Sequence, residues 1–197
     1  MVRASHVIFS AYGFWLPNDP RGSWSDFVRS WDLLRFGRAT KTEDRLSVAW
    51  DSHDRNLRIR AKEALDFPPV QFTGVQARAV GQAFGAFCGR RGIIVHACSI
   101  LPEHVHMVIA RHEYHVEQIV NLLNGEATRQ IVAAGIHPLA EHRGTDGKLP
   151  RMWGRGLWKV FLDSPESVDR AIQYVEENPE KEGLPKQKWA FVSRPRE

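Results

Sequence analysis

Short runs of β-branched and aromatic residues alternate along this chain with stretches whose apolar positions recur every three to four residues. The first run, SHVIFSA (5–11), has the composition of a strand. A helical pattern opens at Thr73, a capping residue, and extends to about Arg90. Val80, Phe84, Phe87 and Cys88 repeat in it at i, i+4, i+7 and i+8, and Gly92 stops it. IIVHACSIL (93–101) and HVHMVIA (104–110), joined by Pro102 and Glu103, read as a β-hairpin. The clearest helix spans His115 to Ala134. Val116, Ile119, Val120, Leu123, Ala127 and Ile131 form one apolar stripe, closed by Gly135. A polar loop (136–152) leads to a fourth strand, LWKVFLD (157–163). SPESVDRAIQYVEENP (164–179) then carries helix-start chemistry: Ser164 as cap, Pro165 at the first position, and Glu166 and Ser167 beside them. Pro179 is expected at or just beyond the end of that helix.

The order is therefore β, a long irregular stretch, then α, β, β, α, β, α. Without the irregular stretch and the last helix, βαββαβ remains, which is the ferredoxin-like arrangement. The predicted fold class is α+β: a ferredoxin-like sheet with helices on one face, a C-terminal helix bearing Tyr174, and an insertion (12–69) after the first strand. The insertion holds PNDPRGSW and four tryptophans, Trp15, Trp24, Trp31 and Trp50, among many charges. That composition predicts a partly ordered insertion rather than disorder. The 197 residues fit a single domain ending in a basic tail (180–197).

Composition narrows the class. With 43% hydrophobic and 25% charged residues the balance is that of a globular protein. No apolar run approaches the ~20 residues needed to cross a bilayer. The N-terminus lacks the layout of a secretory signal, so the expectation is a cytoplasmic protein without a membrane partner. Cys88 and Cys98 form neither a CxxC nor a disulfide framework and read as small buried hydrophobes. The net charge of +4 is mild, but cations cluster at Arg143, Lys148, Arg151, Arg155 and Lys159, and again in the tail at Lys186, Lys188, Arg194 and Arg196. Such clusters serve solubility and nucleic-acid binding equally well.

The segment LPEHVHMVIA (101–110) raises a chemical question. In a strand, residues i and i+2 share a face, so His104 and His106 project side by side. Two imidazoles on one rigid element suit a divalent metal, yet two ligands rarely hold one. The last helix offers Tyr174 and Asn178, neighbours along one ridge beside the apolar stripe of Val168, Ala171, Ile172 and Val175. An amide oxygen can bind a hard metal and a phenol can act as a nucleophile. Taken alone, such a Tyr more often packs and an Asn before Pro more often ends a helix. His96 reads as a core histidine or a partner of the pair, with core favoured. GRG (154–156) is not a dinucleotide loop, since it lacks both the GxGxxG spacing and a following helix.

LPEHVHMVI resembles the histidine–hydrophobe–histidine motif of single-tyrosine transposases. AIQYVEENPEKEGL resembles the tyrosine helix of their REP-associated branch, in which Asn-Pro follows the Tyr by four residues. RGLWKVFLDSPESVDRAIQYV resembles the strand that leads into that helix, and SAYGFWLPNDPRGSW the opening of such chains. The resemblance implies a metal-dependent enzyme that cuts single-stranded, hairpin-forming DNA. Tyr174 would be the nucleophile, leaving a 5′-phosphotyrosine, and His104, His106 and Asn178 would hold Mg²⁺ or Mn²⁺. A phenol attacks poorly until it ionises, and Arg170, one turn earlier, is a candidate cation to assist. Glu103 stands where the family often has Asn. For DNA binding, Trp153 and Trp158 among Arg151, Arg155 and Lys159 form one candidate surface; Trp15 and Trp24 near Arg21 form another, and Lys186 and Lys188 are candidates in the tail. Of these tryptophans, Trp158 is the best candidate for a core anchor. A monomer is favoured over a homodimer. Two rival readings stand beside this one: a catalytically silent nucleic-acid-binding module on the same fold, and a metal-dependent hydrolase with no covalent step.

Overall fold

The computed structural model describes residues 1–14 and 55–195. Arg21 and the four tryptophans of the insertion lie outside the described residues, as does Arg196. Within the insertion, α1 (Arg55–Glu63) is a helix. Four strands, β1 (Ala4–Ser10), β2 (Val95–Ile100), β3 (His104–Ala110) and β4 (Trp158–Leu162), form one antiparallel sheet in the order β2-β3-β1-β4. Three further helices connect and follow them: α2 (Gly74–Arg91), α3 (Val116–Ala133) and α4 (Pro165–Lys181). The chain order β1-α2-β2-β3-α3-β4 is the ferredoxin-like α+β fold, with β1 and β3 at its centre.

Strand parity decides what each face of the sheet carries. Val7 and Phe9 of β1 and Val105, Met107 and Ile109 of β3 point to one face. There they pack with Val80, Phe84 and Phe87 of α2 and with Ile119, Leu123 and Ile131 of α3. Burying each such large side chain contributes about 1.5–3 kcal/mol. The opposite face carries Ala4, Ala97, Val108 and Leu162, covered by Val168, Ala171, Ile172 and Val175 of α4. So α2 and α3 share one face, and among the described helices the tyrosine helix packs on the other.

Local chemistry sets the ends of the helices. Thr73 makes a full capping box with Gln76, and Gly92 takes the left-handed conformation (φ 66°) that lets its N–H reach the Cys88 carbonyl. Ser164 and Ser167 make the same reciprocal box at α4, with Pro165 at its first position. Pro179 does not end this helix, which continues to Lys181. In the last turn a proline removes a single backbone hydrogen bond, and the Glu182 N–H still reaches the Asn178 carbonyl.

The tail is more than a basic extension. Gln187 pairs with the edge strand β2 through both ends of its amide. Its Oε1 accepts from the Ile100 N–H and its Nε2 donates to the Ile100 carbonyl, each at 2.8 Å. Ser193 N–H donates to the Val95 carbonyl at 2.9 Å. Trp189 and Phe191 pack over Gly81 and Gly85 of α2. The exposed edge of β2 is thereby covered.

Candidate active site

The site is built on the α4 face. His104 and His106 of β3 share it, as the i, i+2 rule requires, and both are buried. Across β1, Ser10 stands opposite His104 and Ile8 opposite His106. His6 of β1, not singled out in the sequence, lies on the same face and is also buried. Its Nε2 is 3.3 Å from Nδ1 of His106, and the two rings stack with centroids 5.6 Å apart. The His104 and His106 rings are 4.8 Å apart. Burial pushes the pKa of His6 down to about 4. Burial, and then the neighbouring His104 and His6, hold His106 well below the ordinary imidazole value. Both rings are therefore neutral near pH 7, the form that can ligate a metal.

α4 brings the phenol to this cluster. The Tyr174 ring lies 5.7 Å from His106 and 5.7 Å from His6, yet the residue is 45% exposed. One face of the nucleophile candidate is thus fixed against imidazoles while the rest opens to solvent. Two turns later, Oε1 of Glu182 is 3.8 Å from Nε2 of His104. Asn178 lies on the helix midway between these two contacts and is buried. Its Nδ2 makes no hydrogen bond to any described residue. Because amide N and O are assigned from their surroundings, that orphaned end marks where an amide oxygen can meet a ligand. Among the described residues, no three His, Cys, Asp or Glu side chains form a group able to hold a metal. The donors on this face that could hold a cation are the His104 and His106 imidazoles and the Asn178 amide, ring nitrogen and amide oxygen both being metal-binding atoms.

Surrounding residues sort differently from the sequence expectation. Trp153 is a core residue: its ring packs against Phe72, Phe9 and Phe84, and its Nε1 donates to the Asn124 carbonyl at 3.1 Å. It cannot stack on a base. Trp158, expected to anchor the core, instead faces the site edge-on to His6 at 5.1 Å. Strand parity separates the two, since Trp158 shares the α4 face while Trp153 lies beyond the strand in a loop that folds under α2. Lys159 points to the opposite face, where it pairs with Glu117 of α3. Arg170 is exposed, one turn before Tyr174 and away from the His104 end. Arg151 and Arg155 flank Gly154, whose N–H donates to the Ser10 carbonyl beside His104. Lys186 and Lys188 flank Gln187 at the end of β2, the same end of the sheet; Lys186 pairs with Glu180 at 3.5 Å. His96 is not in the core; its Nδ1 is 2.8 Å from the Ser193 carbonyl of the tail.

Besides His6, sequence reasoning missed Lys181, whose ammonium lies 5.0 Å from the Tyr174 ring centroid. The spacing of Lys181 seven residues after Tyr174, two turns along one ridge, was the available signal. For His6 the signal was a lone histidine in an apolar strand, and only register reveals its neighbours.

A buried imidazole cluster on a ferredoxin-like sheet, met by a tyrosine from a C-terminal helix, defines the class of site. The chain belongs to the IS200-like transposase family, whose model matches residues 70–178, from just before α2 to Asn178. Two solved structures are similar to it at 15% identity. One is a REP-associated tyrosine transposase bound to a REP hairpin, with a TM-score of 0.47, covering 96% of this chain and 74% of that one. The other is a Deinococcus radiodurans R1 protein described as a transposase, with a TM-score of 0.42, covering 90% of this chain and 91% of that one. No curated protein matches.

Proposed function

We propose that this chain is a single-tyrosine transposase of the REP-associated branch, which cleaves and transfers single-stranded, hairpin-forming DNA. The observation that carries this is the meeting of Tyr174 with His106 and His6 on an open surface. In the cleavage step the Tyr174 phenolic oxygen forms a bond to a backbone phosphorus. The bond from phosphorus to the 3′-oxygen breaks; the phenolic proton is lost to solvent, and the departing 3′-oxygen takes one up. The phosphotyrosine keeps the phosphodiester's energy, so rejoining needs no nucleotide cofactor. Mg²⁺ or Mn²⁺ on His104, His106 and Asn178 would supply positive charge at the scissile phosphate. The Lys181 ammonium, paired with Glu177 at 3.0 Å, places a cation beside Tyr174. Arg151 and Arg155 on one side, and Lys186 and Lys188 on the other, supply cations at the His104 end for a DNA backbone. Among the described residues no helix is long and apolar enough to cross a membrane.

The test is a denaturing gel of the full chain with end-labelled hairpin oligonucleotides and Mn²⁺. A covalent protein–DNA band is expected for the wild type and none for Tyr174→Phe. If both proteins bind the hairpin alike and neither gives the band, the chain is a silent binding module. If Tyr174→Phe still cuts while His106→Ala does not, cleavage proceeds without a covalent step.

A further inference from the structure

We infer that His6 is a positioning residue for His106, accepting the proton on Nδ1 of His106 and so leaving its Nε2 lone pair for the cation. This rests on the metal assignment proposed above. It deepens that assignment with a residue that lies outside the segment matched by the family model.

Three observations converge. The first is directional. Nδ1 of His106 faces Nε2 of His6 at 3.3 Å, so only Nε2 of His106 remains to meet a ligand. A neutral imidazole carries one proton, and a proton on Nδ1 is the arrangement that frees Nε2. The same nitrogen is presented by the neighbouring ring, since His104 turns its Nε2 toward Glu182, the C-cap of the tyrosine helix. The second is confinement. His6 is 6% exposed, with Trp158 edge-on at 5.1 Å and Tyr174 at 5.7 Å. It cannot swing into water, so its acceptor stays aimed at His106. The third is the scaffold. Ile8 of β1 stands directly opposite His106, so His6 sits on the diagonal of a central strand pair, held by the ladder on both sides. Metal-bound histidines commonly donate their second ring N–H to such a partner, and losing it costs roughly 10–100-fold in affinity. Because His6 also touches Tyr174, one side chain sets both a ligand and the nucleophile.

The experiment has two readouts on the full chain. Long-range ¹H–¹⁵N spectra of the metal-free wild type report the tautomer: His106 is expected to be protonated at Nδ1, and protonation at Nε2 overturns the inference. Mn²⁺ affinity is then read from the free-ion electron paramagnetic resonance signal. His6→Phe keeps the ring volume but removes the acceptor, and is expected to bind Mn²⁺ about 10-fold or more weakly. His6→Gln places an amide oxygen near the original Nε2 and is expected to stay within about threefold of wild type, since the hydrogen bond survives. His6→Phe binding like wild type overturns the inference and leaves the metal assignment standing. His6→Gln falling as far as His6→Phe overturns it too, because shape alone would then explain the loss. A wild type that binds no Mn²⁺ refutes the metal assignment itself, and this inference with it.

Discussion

At the scale of single residues, burial separates chemistry from packing. Trp153 looks like a stacking platform among cations, yet it is wedged between Phe72, Phe9 and Phe84 with its N–H satisfied. Trp153→Ala should cost about 3–5 kcal/mol, read as a lower urea midpoint, as for other large core truncations. A loss under about 1 kcal/mol, the scale of surface changes, would show that the ring is not in the core. The two cysteines obey the same logic. Burial pushes the Cys88 thiol up to about 11 and Cys98 well above its ordinary value. The thiolate is the reactive form, so at pH 8 neither should react with a disulfide reagent until denaturant is added. Rapid reaction of the native protein would contradict the described burial. Tyr174 and the HxH pair were legible as residue types. His6 was not, because nothing local distinguishes it from an ordinary strand histidine.

At the scale of elements, the helices and strands follow their sequence signals closely, since caps and periodicity are local properties. Thr73, Gly92, Ser164 and Pro165 perform the roles their positions imply. The tail is the exception. Its lysines are the visible signal in the sequence, but it is its glutamine and aromatics that bind it to β2 and α2. That contact yields a paired prediction within α2. A Cβ at Gly81 would lie 2.2 Å from the Trp189 ring, while at Gly89 it would meet nothing within 4 Å. Helix propensity favours Ala over Gly by about 0.5–1 kcal/mol, so Gly89→Ala should raise the melting temperature. Gly81→Ala should lower it, overpacking costing about 1–3 kcal/mol. Equal stabilisation by both would mean that the tail does not rest on α2.

At the scale of the whole molecule, the face that a residue occupies sets its contribution to binding. The Arg155 backbone follows Gly154 at the His104 end, whereas Lys159 is paired with Glu117 across the sheet. Binding of single-stranded DNA should weaken linearly in log salt. Arg155→Ala should reduce that slope by about 0.7, one phosphate contact on a single strand. Lys159→Ala should leave it unchanged, and the reverse ranking would move the DNA path to the other face. The proposed metal assignment is tested at the same scale, because its ligands meet only in the assembled fold. Mn²⁺ at about 100 times its dissociation constant should add about 2.7 kcal/mol of stability, removed by a chelator and absent in His104→Ala. Equal stabilisation of that variant would place the ion elsewhere.

The amino-acid sequence by itself determined the elements, their order and the α+β class, because capping, periodicity and strand alternation act between residues a few positions apart. It also marked the paired histidines and the Tyr–Asn spacing, each lying within one element. Only the tertiary structure decided that His6 joins His106 across 100 residues, that Trp158 faces the site while Trp153 is buried, and that the tail covers an edge. Those outcomes depend on which strands pair and in what register. A shift of one residue would turn every side chain of a strand to the other face.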